Sequence, residues 1–142
     1  MVYKREEITR AFEKSNLRVT SQRFCIMEYL LRRTVHSTAG EVFRAINKSD
    51  PRASRATVYN GLNALSRAGL VREISIDGKA TLFDSNLRRH HHFVCDHCGV
   101  VEDVAWFDAS KVSRAALGGR RIRGFEVVLR GSCENCIAKE NS

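Results

Sequence analysis

Residues 54–84 read S-R-A-T-V-Y-N-G-L-N-A-L-S-R-A-G-L-V-R-E-I-S-I-D-G-K-A-T-L-F-D. Val58, Leu62 and Leu65 recur at helical spacing, Ser54 starts the helix, and Gly69 suits the position just past a helix end. The period then changes. Val71–Ile76 and Ala80–Asp84 are short strand-like segments joined at Asp77-Gly78, a pair that readily takes the positive φ angles of a tight hairpin. A helix that feeds directly into a hairpin decides how the flanking sequence is read.

Upstream, Ile8, Phe12 and Leu17 lie on a first amphipathic segment. Thr20 caps a second helix, with Phe24, Ile26, Met27, Leu30 and Leu31 as its apolar stripe. Ser37-Thr38 leads into a third, with Val42, Phe43 and Ile46 inward, and Asp50-Pro51 ends it. Helices followed by a two-stranded wing form the winged helix-turn-helix pattern. Downstream, Phe93–Cys95, Val100–Val104 and Phe125–Leu129 read as strands, and Asp108–Leu117 as a helix closed by Gly118-Gly119. The predicted fold class is α+β: a winged-helix domain over residues 1–84, then a small α/β domain over 85–142. The second, of about 55 residues, is small enough to need a metal or a partner chain.

The chain has 142 residues with 24 Lys+Arg against 16 Asp+Glu, a formal net charge of +8. Residues 1–84 carry +6 of that excess and residues 85–142 the remaining +2. A basic surface favours polyanions, so the first domain is the nucleic-acid candidate. The N-terminus, M-V-Y-K-R-E-E-I-T-R, lacks the apolar core of a signal peptide, and no apolar run approaches the roughly 20 residues of a membrane helix. A cytoplasmic location is expected, with no membrane partner. In a reducing cytosol, paired cysteines read first as metal ligands.

Cys95-x2-Cys98 and Cys133-x2-Cys136 supply four soft thiolates, with 34 residues between the pairs. Two such knuckles select Zn2+ in a closed structural site. Cys25 lies on the apolar stripe of the second helix and reads as packing.

His90, His91 and His92 precede Cys95. On a strand, His90 and His92 share one face, while His91 and Cys95 point to the other, so the stretch predicts two metals rather than one. Two imidazoles do not complete a site. Asp84, Asp103 and His36 are candidates to join them, and such a nitrogen/oxygen set suits Fe2+ or Mn2+, although zinc would also bind. His36 as a helix-end residue and Asp84 and Asp103 as solvated loop residues is the competing reading. His91 and His97 read as exposed and non-ligating.

Taken together, L-R-V-T-S-Q-R (17–23), S-R-A-T-V-Y-N-G-L (54–62), A-G-L-V (68–71), H-H-H-F-V-C-D-H-C-G (90–99) and G-S-C-E-N-C (131–136) resemble the ferric uptake regulator family of metal-dependent repressors. The resemblance covers nearly the whole chain. It implies a homodimer on a palindromic double-stranded DNA operator, one structural Zn2+ per subunit on Cys95, Cys98, Cys133 and Cys136, and one regulatory Fe2+ or Mn2+ on His36, Asp84, His90, His92 and Asp103. Within the family the chain looks most like the peroxide-sensing repressors. Asp stands at both carboxylate positions, 84 and 103, and Asn60 follows Tyr59 where iron sensors carry Arg. Positions 89, 91, 110 and 125 hold Arg, His, Ser and Phe and lack the carboxylates of a third metal site known in iron sensors. The resemblance then implies Fe2+-catalysed oxidation of His36 and His90 by hydrogen peroxide. Iron-responsive or zinc-responsive control of metal uptake is the alternative.

Ser54, Arg55, Thr57, Tyr59 and Asn60 are the candidate DNA contacts. The first three lie near a helix N-terminus that favours phosphate, Tyr59 can press on a thymine methyl, and Asn60 can pair with an adenine edge or a phosphate. Arg18 and Arg23 are weaker candidates for phosphate. An oxygenase built on two histidines and a carboxylate would leave the basic helical front without a purpose, so an enzyme is not expected. A zinc-stabilised interaction module that senses no metal is the remaining class.

Overall fold

The computed structural model describes residues 4–33, 36–108 and 114–142. The chain divides between Leu87 and Arg88 into two compact units.

The first unit is winged-helical. Helix α1 (Arg5–Lys14) buries Ile8 and Phe12, and Leu17 packs on the core just beyond its end. Helices α2 (Ser21–Arg32), α3 (Ala39–Ile46) and α4 (Arg55–Arg67) each begin at a hydroxyl cap. The side chains of Thr20, Thr38 and Ser54 accept the amides of Arg23, Glu41 and Thr57. Each cap satisfies a backbone donor that would otherwise have no partner inside its helix. At α3, Glu41 closes the capping box by accepting the Thr38 amide at 2.8 Å. Beyond α3, the Asn47 side-chain oxygen accepts the amides of Arg52 and Ala53, which sets the path from Pro51 into α4. Gly61 of α4 faces α2 so closely that a Cβ there would lie 2.7 Å from the Ile26 side chain. Gly69, at φ +72°, closes α4 in the left-handed conformation.

The wing is shorter than its sequence indicates: β2 (Arg72–Ile74) and β3 (Leu82–Asp84) pair antiparallel. Asp77 and Gly78 both take positive φ, and the Lys79 amide closes the turn on the Ile76 carbonyl at 3.2 Å. A two-residue strand that the sequence reading did not contain, β1 (Ser37–Thr38), pairs with the other edge of β3, giving the order β1-β3-β2. Phe12, Ile26, Val42, Val58, Leu62 and Leu65 are the innermost residues of this unit's core.

The second unit is a mixed sheet of order β5-β4-β6, formed by β4 (His90–Cys95), β5 (Val101–Ala105) and β6 (Val128–Gly131). Strand β5 runs antiparallel to the central β4, and β6 runs parallel to it. The last strand lies later than the predicted Phe125–Leu129. Of the predicted helix Asp108–Leu117, α5 occupies Arg114–Leu117, and residues 109–113 lie outside the described residues. A C-terminal helix, α6 (Glu134–Glu140), was not anticipated.

Candidate metal centres

All four paired cysteines converge at the end of β4. Cys95 closes the strand. The next turn carries Cys98 and is tightened by the Gly99 amide bonding back to the Cys95 carbonyl at 2.9 Å, with Gly99 at φ +74°. Cys133 is the N-cap of α6 and Cys136 lies in its first turn. The parallel pairing of β6 on β4 ends at Cys95↔Gly131, which delivers the second knuckle beside the first. Sγ–Sγ separations are 3.8 Å for Cys95–Cys136 and 3.7 Å for Cys98–Cys133. A tetrahedron of Zn–S bonds of about 2.3 Å has edges of about 3.8 Å. A disulfide would need about 2.05 Å. The set therefore fits zinc, not oxidation. Amides of Cys98, Cys133 and His97 hold the Cys95 thiolate, and its pKa falls to about 6. Cys136 is pushed up to about 12, first by its contact with the Cys133 sulfur and then by burial. Four sulfurs this close cannot all ionise without a cation among them.

A second donor set lies on the other side of β4. Because side chains alternate, His90 and His92 meet with their Nε2 atoms 3.2 Å apart, and β5 brings Asp103 opposite His92. Asp103 Oδ1 is 3.2 Å from His90 Nε2. The Arg88 carbonyl, 2.6 Å from His90 Nδ1, can only accept, so Nδ1 carries a proton and Nε2 is the nitrogen turned toward His92 and Asp103. Two imidazole nitrogens and a carboxylate facing one another are a donor set whose chemistry suits a divalent cation. Glu126 lies 3.9 Å from the Nδ1 atom of His92.

In the first unit, His36 and Asp84 come together through β1. Ser37 pairs with Phe83, and one step further along the antiparallel register sets His36 against Asp84, with His36 Nδ1 3.7 Å from Asp84 Oδ1. The Asn86 amide donates to the same carboxylate oxygen at 2.8 Å.

His91 corrects the sequence reading. It is fully buried rather than exposed. Its Nδ1 accepts the Val127 amide at 3.1 Å, so its Nε2 carries the proton and donates to the Phe107 carbonyl at 2.8 Å. With both nitrogens taken by main chain, the ring stacks on Trp106 at 4.5 Å and joins a cluster with Phe125, whose ring lies 5.0 Å from that of Trp106, and the Arg89 guanidinium lies 4.1 Å over Trp106. Ser110 lies outside the described residues. His97 is exposed, 3.5 Å from Glu140.

On α4, Tyr59 and Asn60 are exposed, Asn60 opposite the buried face of Val58, Leu62 and Leu65 and Tyr59 at its flank. Ser54 and Thr57 bond to each other as the helix cap, and Arg55 lies 4.5 Å over the Phe43 ring. Arg23 donates to the Arg18 carbonyl at 2.9 Å. Cys25 is half-buried and accepts from Arg52 at 3.6 Å.

A winged-helix unit followed by a small α/β unit, with a thiolate set and histidine–carboxylate sets that can hold metals, defines the class. A model of the "Ferric uptake regulator family" matches residues 14–129, and the chain belongs to that family. The Peroxide operon regulator of Bacillus subtilis (strain 168) is 30% identical over 138 residues, covering 96% of this chain and 95% of its own length. Among solved structures, the ferric uptake regulator of Vibrio cholerae is similar with a TM-score of 0.69 at 28% identity, covering 88% of this chain and 98% of its own. The peroxide-sensing PerR of Streptococcus pyogenes is also 28% identical, with a TM-score of 0.53 over 93% of this chain and 92% of its own.

Proposed function

We propose that this protein is a metal-dependent, dimeric transcriptional repressor that senses hydrogen peroxide through oxidation of its own histidines. The observation that carries the reading is the pair of histidine–aspartate sets, His36 with Asp84 in the first unit and His90 and His92 with Asp103 in the second. One divalent cation shared by all five would tie the DNA-reading unit to the second unit, and the second unit would form the dimer.

Two α4 helices in a symmetric dimer read half-sites of a palindrome about one helical turn, or a multiple of it, apart. Tyr59 and Asn60 present the base-reading edge, and Ser54, Arg55 and Thr57 lie at the phosphate-favouring N-terminus. Shared ligands restrict the two units to a DNA-competent arrangement. The leverage is bounded by the cation's differential affinity for the two arrangements, and moving an equilibrium from 1:99 to 99:1 takes about 5.5 kcal/mol.

Ferrous iron bound there would supply the electrons that reduce hydrogen peroxide to a histidine-directed oxidant. His36 and His90 are the rings that take up oxygen. An oxidised imidazole is a poorer donor, so the shared ligand set fails and DNA is released. Each molecule reacts once, without turnover, so the protein is not an enzyme.

The relatives named for peroxide sensing and the aspartates at 84 and 103 support this reading. The higher TM-score with the Vibrio cholerae regulator favours iron-responsive control as the second reading. Mass spectrometry of the Fe2+ form after brief peroxide exposure separates them. Peroxide sensing predicts a gain of about 16 Da on the peptide holding His36 or His90, lost operator binding, and protection when Mn2+ replaces Fe2+. Unmodified histidines with retained binding overturn peroxide sensing in favour of metal-responsive control, with iron first.

A further inference from the structure

We infer that Arg72 is a built-in competitor of the regulatory cation: its guanidinium holds Asp84 in the metal-free protein and so sets the metal concentration at which the protein responds. The inference rests on the reading of Asp84 as a ligand. Arg72 opens β2 and is the cross-strand partner of Asp84 in β3, so the two side chains share one face of the wing. Arg72 Nη2 lies 3.8 Å from Asp84 Oδ2 and donates to the Asn86 carbonyl at 3.2 Å. The Asn86 amide in turn donates to Asp84 Oδ1, on the edge that faces His36. Arginine and aspartate are thus clamped through one loop residue.

Asp84 is 3% exposed, and a carboxylate this far from water needs a counter-charge. Without metal, Arg72 supplies one. A divalent cation on Asp84 supplies another, and the two positive centres then repel each other beside the same carboxylate. Binding therefore costs the protein part of the Arg72–Asp84 attraction. The Arg72 side chain is 38% exposed, so it can withdraw toward water when the cation arrives. A fully buried arginine could not yield in this way. The arrangement raises the threshold for metal without removing a ligand.

The test uses the full-length, zinc-loaded protein emptied of regulatory metal. Mn2+ is titrated into wild type, R72Q, R72K and D84A by calorimetry, and melting is followed with and without Mn2+. R72Q is expected to bind Mn2+ about two- to fivefold more tightly, the range of a partly exposed ion pair. Its metal-free form should melt below wild type, while its Mn2+-loaded form should match wild type more closely. R72K, which keeps the charge without the fork, should fall between. Loss of Mn2+ binding in D84A with unchanged affinity in R72Q would show a purely structural arginine and overturn the inference. Weaker Mn2+ binding in R72Q would make Arg72 a positioning aid for Asp84, which also overturns it. Wild-type Mn2+ binding in D84A would overturn the ligand reading itself, and this inference with it.

Discussion

His90, His91 and His92 are chemically identical neighbours with opposite surroundings. His90 and His92 turn ring nitrogens into a pocket shared with Asp103, whereas His91 spends both nitrogens on main-chain partners among aromatic rings. Substitution should separate the two roles. His91→Ala removes two buried hydrogen bonds and a stacked ring, and should lower stability by about 3 kcal/mol, read as a shift in the urea midpoint of the zinc-loaded protein. His90→Ala should keep cooperative unfolding while abolishing Mn2+ binding in calorimetry. Equal urea midpoints for H91A and wild type would show that the ring contributes little to the fold. Alternation along a strand was enough to place His91 opposite its neighbours. It could not say what covers that side: Trp106 and Phe125 come from segments 15 and 34 residues away in sequence.

At the scale of elements, local signals were legible and long-range pairings were not. The cap at Thr20, the start of α4 at Ser54 and the turn at Asp77-Gly78 depend on residues within a few positions, and each is readable from side-chain chemistry. The α3 cap belongs to the same class, and Thr38→Ala should cost about 1 kcal/mol in chemical denaturation, because the Glu41 amide loses its acceptor. A loss below about 0.3 kcal/mol would show that water replaces the hydroxyl at this end. Strand β1 is different. It has two residues, no periodicity, and a partner more than 40 positions away, yet it brings His36 to Asp84. Ligand chemistry makes His36 and Asp84 candidates for one site, with a competing reading beside it, and the family resemblance implies the shared set, but nothing local in the sequence shows the pairing that brings them together. Helix α6 escaped notice because none of its residues is buried and it therefore leaves no apolar stripe. Its one sequence marker is the second cysteine knuckle, which signals chemistry and not conformation.

At the scale of the molecule, the two units owe their stability to different things. The first has a continuous apolar core drawn from α1 to α4 and the wing. In the second, the buried hydrophobic residues among those described are Val94, Val101, Cys95 and Cys133, and two of these four are candidate zinc ligands. A unit of about 55 residues with so little apolar burial depends on its metal to offset the entropy of folding. Removing zinc should therefore unfold the second unit and leave the helices of the first. The chain has one tryptophan, Trp106, and it stacks on His91 within the second unit, so its fluorescence reports that unit alone. With a strong chelator under reducing conditions, Trp106 emission should shift to the red while the far-ultraviolet helical signal largely persists, and added Zn2+ should restore the emission. C136S should show the shifted spectrum without chelator, since three sulfurs leave the tetrahedron open. An unchanged Trp106 spectrum after verified loss of zinc would mean that the sheet and the aromatic stack around His91 hold the second unit by themselves, and the metal would then be an accessory rather than the core of that unit.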